Sequence, residues 1–171
     1  KSTVSIIGGE GYEYYNRFAG KNFPNGKPFS SIIEPGHWRM EEGTNKPTTA
    51  TSFVHAFEIA DVNKKEMVPT EYLETQDKKM EGALFLSNDN PYVVLFSNSL
   101  DGRGDTFQKV QFPVNYKLKA SGSTIHVLVE LQPNKKVTVT INRKNLGSFE
   151  TNDAGVLSFK DEGKGARKVR I

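Results

Sequence analysis

The run Pro35-Gly36-His37-Trp38-Arg39-Met40-Glu41 holds the only tryptophan of the chain between a histidine and an arginine. An indole face stacks on a sugar ring, while a neighbouring guanidinium and carboxylate can hold the ring's hydroxyl or carboxylate groups. Tyr14, within Tyr12-Glu13-Tyr14-Tyr15, offers a second stacking surface. Trp38, Arg39, His37 and Tyr14 are therefore the candidate carbohydrate-binding residues. The competing reading is a strand whose Trp38 fills the core while Arg39 and Glu41, sharing strand parity, pair on the outer face. Parity favours that second reading.

Other chemistry is thinner. The histidines are His37, His55 and His126, and their spacings match no HxH or HExxH pattern. A metal site or a general base would need two of them, or one with carboxylates, to converge. Strand parity turns His55 toward the core and His126 away from it, which leaves His37 as the best placed for function. Gly8-Gly9-Glu10-Gly11 is followed by aromatic residues rather than a helix, so it reads as a tight turn and not as a phosphate loop. The loop Ser99–Thr106 carries Asp101 and Asp105 but lacks the ligand count of a calcium-binding loop. Its Arg103-Gly104-Asp105 is short enough to arise by chance. With no cysteine in the chain, thiolate catalysis and cysteine-based zinc sites are excluded. No nucleophile–base pair, catalytic residue, metal site or cofactor motif is assigned.

The elements that would position these residues are strands. Ile125, Val127, Val129 and Leu131 alternate with Thr124, His126 and Glu130. After Gln132-Pro133-Asn134-Lys135 the alternation resumes in Val137–Ile141, which predicts an antiparallel hairpin. Asn142-Arg143-Lys144-Asn145 turns the chain into Leu146–Glu150, and Asn152–Gly155 turns it into Val156–Phe159. The last strand is Arg167–Ile171, with Val169 and Ile171 inward and its basic residues outward. Upstream, Phe53, His55, Phe57 and Ile59 alternate along Ser52–Ile59. Ala83–Leu86 and Tyr92–Phe96 are continuous apolar runs, as in strands covered on both faces. Val110, Phe112 and Val114 alternate again, with Pro113 directing that strand to an edge or bulge. Residues 20–35 read as a long loop, and 61–79 as a loop or exposed hairpin. No stretch shows sustained helical spacing. The expected fold is an all-β antiparallel β-sandwich with little or no helix, formed as one domain over residues 1–171.

Composition sets the outer bounds. A chain of 171 residues can bury a sizeable core without disulfides, and 11 Phe, 6 Tyr and one Trp are too many for a disordered tail. No apolar run is long enough for a membrane helix, and no basic-then-apolar leader opens the sequence. A net charge of +3 is too mild for a dedicated nucleic-acid binder and tolerates an acidic partner such as a uronate polysaccharide. Basic residues cluster at Lys64-Lys65, Lys78-Lys79, Lys135-Lys136, Arg143-Lys144 and Lys164–Arg170. Lysines at strand edges block edge-to-edge pairing. Gathered on one face, they would meet sulfate or carboxylate groups, and the sequence alone does not gather them.

The order of the motifs carries a resemblance. Ile6–Tyr15 leads to Gly20-Lys21-Asn22-Phe23, then Gly36–Glu41, Phe53-Val54-His55-Ala56-Phe57, Gly82-Ala83, Val93–Ser97 and Gly155–Phe159. This series resembles the C-terminal β-domain of the heparinase II/III-like polysaccharide lyases, nearest the heparinase II branch. It departs from that pattern at Glu42–Pro47, where a more apolar lead-in is usual. The resemblance implies a secreted or periplasmic bacterial parent with an upstream toroid and central β-sandwich. Such enzymes cleave uronate-containing glycosaminoglycans by β-elimination. The resemblance places the catalytic His, Tyr and Glu in those upstream domains, so none is carried onto this chain. The implied role is a non-catalytic accessory β-domain that stabilises the catalytic body and contacts substrate. Its partners would be the upstream domains and an acidic polysaccharide, without cofactor, nucleic acid or membrane span. The alternatives are an independent carbohydrate-binding module and a small self-contained lyase using His37 with a nearby tyrosine.

Overall fold

The structure, a computed structural model, describes residues 2–8, 38–47, 51–98 and 108–171. The described residues are all-β and contain no helix. The chain divides into two compact units, Lys1–Thr51 and Ser52–Ile171. In the first, β1 (Ser2–Gly8) pairs antiparallel with β2 (Trp38–Thr44), from Ser2 opposite Thr44 to Gly8 opposite Trp38.

The second unit is the sandwich. Its first sheet is built from β3 (Thr70–Glu74), β4 (Met80–Phe85), β5 (Tyr92–Ser97), β7 (Thr124–Leu128) and β10 (Leu157–Asp161), in the order β10-β7-β5-β4-β3. The second sheet holds β6 (Asn115–Ala120), β8 (Lys136–Ile141), β9 (Lys144–Glu150) and β11 (Gly165–Arg170), in the order β6-β11-β8-β9. All neighbours run antiparallel except β5 and β7, which run parallel. Inward side chains of both sheets merge into one core. Met80, Leu84, Leu95, Leu128 and Leu157 come from the first sheet, and Leu118, Val139 and Val169 from the second. Each such side chain contributes about 1.5–3 kcal/mol by leaving water.

Gly82 shows how tightly the central strands approach. A Cβ there would lie 1.9 Å from the Val94 carbonyl oxygen, so no other residue fits between β3 and β5.

Several sequence expectations need correction. Thr124–Leu128 and Lys136–Ile141 do not form a hairpin but lie in opposite sheets. Glu130 takes a left-handed backbone (φ 61°), which ends the alternation and turns the chain from one layer to the other. Residues 52–59 form no strand, and Phe53, Phe57 and Ile59 are exposed. Val110 forms only an isolated bridge to Leu131. His126, placed on an outer face by parity, and Arg167, placed outward with the other basic residues of its strand, point inward and are buried. The expected turns at Asn142–Asn145 and Asn152–Gly155 do join β8 to β9 and β9 to β10, the first narrowed to Asn142 and Arg143 because β9 begins at Lys144. The turn and loop assignments at residues 9–11, 20–35 and 99–106 lie outside the described residues.

Candidate functional site

The outer face of the four-stranded sheet gathers cations that the sequence leaves scattered. In β6 the buried Tyr116, Leu118 and Ala120 alternate with exposed Lys117 and Lys119. In β11 the buried Arg167 and Val169 alternate with exposed Lys168 and Arg170. The register sets Lys168 directly opposite Lys117, with Arg170 opposite Asn115. Cross-strand neighbours of like charge destabilise a sheet. No carboxylate lies within ion-pair distance of these four cations among the described residues. Among the outward positions of the four strands, Glu150 at the end of β9 is the one acid. It stands opposite Lys136 rather than within the cluster.

A groove of about 820 Å³ adjoins part of this face, lined among others by Asn115, Thr138, Thr140, Arg143, Lys168 and Arg170 but not by Lys117 or Lys119. No acidic side chain lines it. Three cations, two threonine hydroxyls and the amides of Asn115 and Gln76 thus line one depression, together with Phe112 and Pro113. This cationic set, free of carboxylates, matches an oxyanion-bearing chain. The groove is positioned by the β8–β9 turn. The Asn142 backbone N–H donates to the Lys168 carbonyl (2.9 Å), and the Asn142 Oδ1 accepts from the Lys168 N–H (2.8 Å). A third bond runs from Asn142 Nδ2 to the Ala166 carbonyl (3.4 Å). The turn is therefore fastened to β11, and Arg143 is carried beside Lys168.

Beneath this face lies a second group of titratable residues, sealed in the core. Tyr116, His126, Asp161 and Arg167 are exposed by 1%, 0%, 1% and 2%. The Tyr116 hydroxyl meets His126 Nδ1 at 2.8 Å, and His126 Nε2 meets Asp161 Oδ2 at 2.9 Å. Arg167 donates from one terminal nitrogen to both Asp161 oxygens (2.8 and 2.9 Å) and to the Gly163 carbonyl (3.0 Å). The Gly163 N–H in turn donates to Asp161 Oδ1 (2.6 Å), and a Cβ on Gly163 would come within 2.8 Å of that oxygen. The His126 ring stacks on Phe159 with centroids 4.5 Å apart and planes 9° from parallel.

Charge states follow from these contacts. Burial would raise the Asp161 carboxyl, but hydrogen bonds from His126, Arg167 and Gly163 outweigh it and hold it at about 2. Burial pushes His126 below its ordinary value despite the pull of Asp161. Burial, reinforced by the Asp161 charge, lifts Tyr116 well above the usual phenol value. At neutral pH the network is Asp161 carboxylate, Arg167 guanidinium, neutral imidazole and neutral phenol. An ionised carboxylate only accepts, so the His126 proton sits on Nε2 and the Tyr116 O–H donates to Nδ1. Tyrosine, histidine and acid stand in relay, and the histidine itself is fully buried. The network instead ties β7 and β10 to β6 and β11 across the two layers.

Of the residues singled out from the sequence, Trp38 and Arg39 open β2 opposite Gly8 and Ile7. His37 and Tyr14 lie outside the described residues. His55 is exposed rather than in the core. Lys117 and Lys119 were not foreseen as part of the cluster, although their alternation with Tyr116, Leu118 and Ala120 is a plain strand signal. The outer face of the five-stranded sheet is of another character, with Tyr72, Tyr92 and Phe96 exposed. Among the described residues no group of His, Asp and Glu converges as a metal site, and no helix is long and apolar enough to cross a membrane.

A scan against protein-family models and a search of curated proteins each return no match to this chain.

Proposed function

We propose that this chain is a non-catalytic accessory β-sandwich of a secreted or periplasmic bacterial lyase acting on uronate-containing polysaccharide. In this reading the outer face of its four-stranded sheet contacts the acidic substrate. The observation that carries the reading is the Lys117–Lys168 pair, flanked by Lys119 and Arg170 and, among the described residues, without a carboxylate in ion-pair distance. Two ammonium groups placed directly opposite each other repel, and an oxyanion shared between them removes that repulsion. The order of sequence motifs shared with the heparinase II/III-like β-domain supplies the substrate class. The buried relay supports an accessory role, because its histidine has no access to a sugar.

The test is titration of the full chain with a heparin octasaccharide at several salt concentrations. Affinity falls as salt rises, because bound cations displace counterions. Lys117→Ala with Lys168→Ala weakens binding about tenfold. Absence of binding at 50 mM salt, or equal preference for duplex DNA, counts against the reading. The second reading, an independent carbohydrate-binding module, draws on exposed Tyr72, Tyr92 and Phe96 of the other sheet. It predicts binding of neutral polysaccharide that salt does not weaken.

A further inference from the structure

The β8–β9 hairpin turns through two residues, Asn142 and Arg143, since Ile141 pairs with Lys144. Both have positive φ, 49° and 68°. That backbone is the type I′ turn, whose second central position is normally glycine because a Cβ crowds the carbonyl there. Asparagine tolerates the left-handed region, and arginine does not gain from it. A bulky residue persists in such a conformation when its surroundings hold it there, and here the Asn142 bonds to β11 do so. Arg143 is exposed, belongs to none of the ion pairs of the described residues, and lines the groove beside Lys168 and Arg170.

We infer that Arg143 is a ligand-binding residue of this groove, kept at a turn position suited to glycine so that its guanidinium can grip one sulfate or carboxylate group of the bound chain. The inference rests on the polyanion reading of the same face and assigns a role within it. A guanidinium presents a planar fork that matches an oxyanion through two parallel N–H bonds, whereas Lys117, Lys119 and Lys168 act as point charges. The lysines would supply attraction over the face, and Arg143 would set where a charged group docks.

Two substitutions at this position separate backbone from side chain. Arg143→Ala removes the guanidinium and leaves a Cβ in the left-handed conformation. Arg143→Gly removes both the guanidinium and the crowding. Binding of a heparin octasaccharide by the full chain is expected to weaken about fivefold in both variants. The thermal midpoint is expected to rise by about 4 °C in Arg143→Gly and not in Arg143→Ala. An oligogalacturonate, which carries carboxylates and no sulfate, identifies the group held. Weakening with both ligands assigns a carboxylate, and weakening with heparin alone assigns a sulfate. Unchanged heparin affinity in both variants, while Lys117→Ala with Lys168→Ala weakens it, overturns the role of Arg143 and leaves the polyanion reading standing. A wild-type chain that binds neither ligand overturns both. A midpoint that does not rise in Arg143→Gly overturns the claim that the turn favours glycine.

Discussion

Asp161 is the hub of the buried network, and replacing it with asparagine tests the charge balance of the core directly. Asp161→Asn preserves volume, so no cavity contributes. It removes the one carboxylate paired with Arg167 among the described residues, and that side chain is 2% exposed. Removing one partner of a buried pair leaves an uncompensated charge and costs about 3–5 kcal/mol. At roughly 3–5 °C per kcal/mol for a unit of this size, the thermal midpoint falls by about 10–20 °C. The informative comparison is the double variant Asp161→Asn with Arg167→Met. No buried charge then remains, and the Tyr116–His126 bond survives, so the double variant should lie within about 1–2 kcal/mol of wild type. Urea unfolding of the wild type, both single variants and the double variant measures the coupling. A single-variant loss below 1 kcal/mol, or a double variant less stable than either single one, would refute the reasoning.

Two further predictions concern the same unit. His126 is held neutral in the fold, so the unfolded chain takes up a proton that the folded chain resists, and stability declines as pH falls below about 6.5. Asp161 adds a second decline, present in full above its unfolded value of 3.8 and lost toward about 2, worth roughly 2–3 kcal/mol. Stability measured against pH should therefore fall in two stages, and the lower stage should shrink in Asp161→Asn with Arg167→Met; superimposable curves would refute the assignment. Gly82→Ala forces a Cβ onto the Val94 carbonyl and should cost roughly 3 kcal/mol or more, whereas Gly122→Ala, with open space around it, should change stability by less than about 0.5 kcal/mol. Circular-dichroism melts of the two variants decide this, and equal midpoints would be the contrary result.

Alternation made most of the sandwich legible in the sequence, because strands with one face in the core must repeat every second residue. It failed where a strand turns polar residues inward. In β7, Ile125 and Val127 look more core-like than Thr124 and His126, yet the latter face inward, His126 satisfied by Tyr116 and Asp161 and Thr124 by the Gly122 carbonyl. The partner that makes a buried histidine acceptable comes from residues 35 positions away, and no local pattern reports it. Arg167 was more accessible to reasoning. It shares parity with Val169 and Ile171, so the rule that placed those two inward places it there too, and only the assumption that charge stays outside reversed it. The basic face was half legible. The alternation in β6 and β11 was visible, but their adjacency depends on a register between residues 115–120 and 165–170 that is set by the sheet as a whole. Arg143 was seen as part of a turn, while its left-handed backbone depends on the two-residue length of the hairpin.

The strand order β6-β11-β8-β9 has a consequence for biosynthesis. The latest of these four strands in sequence, Gly165–Arg170, occupies an interior position, bonded to β6 on one side and to β8 on the other. Until residues 165–170 have been made, β6 and β8 each present a bare hydrogen-bonding edge. Nascent chains are thus most prone to stick to one another before β11 has joined the sheet.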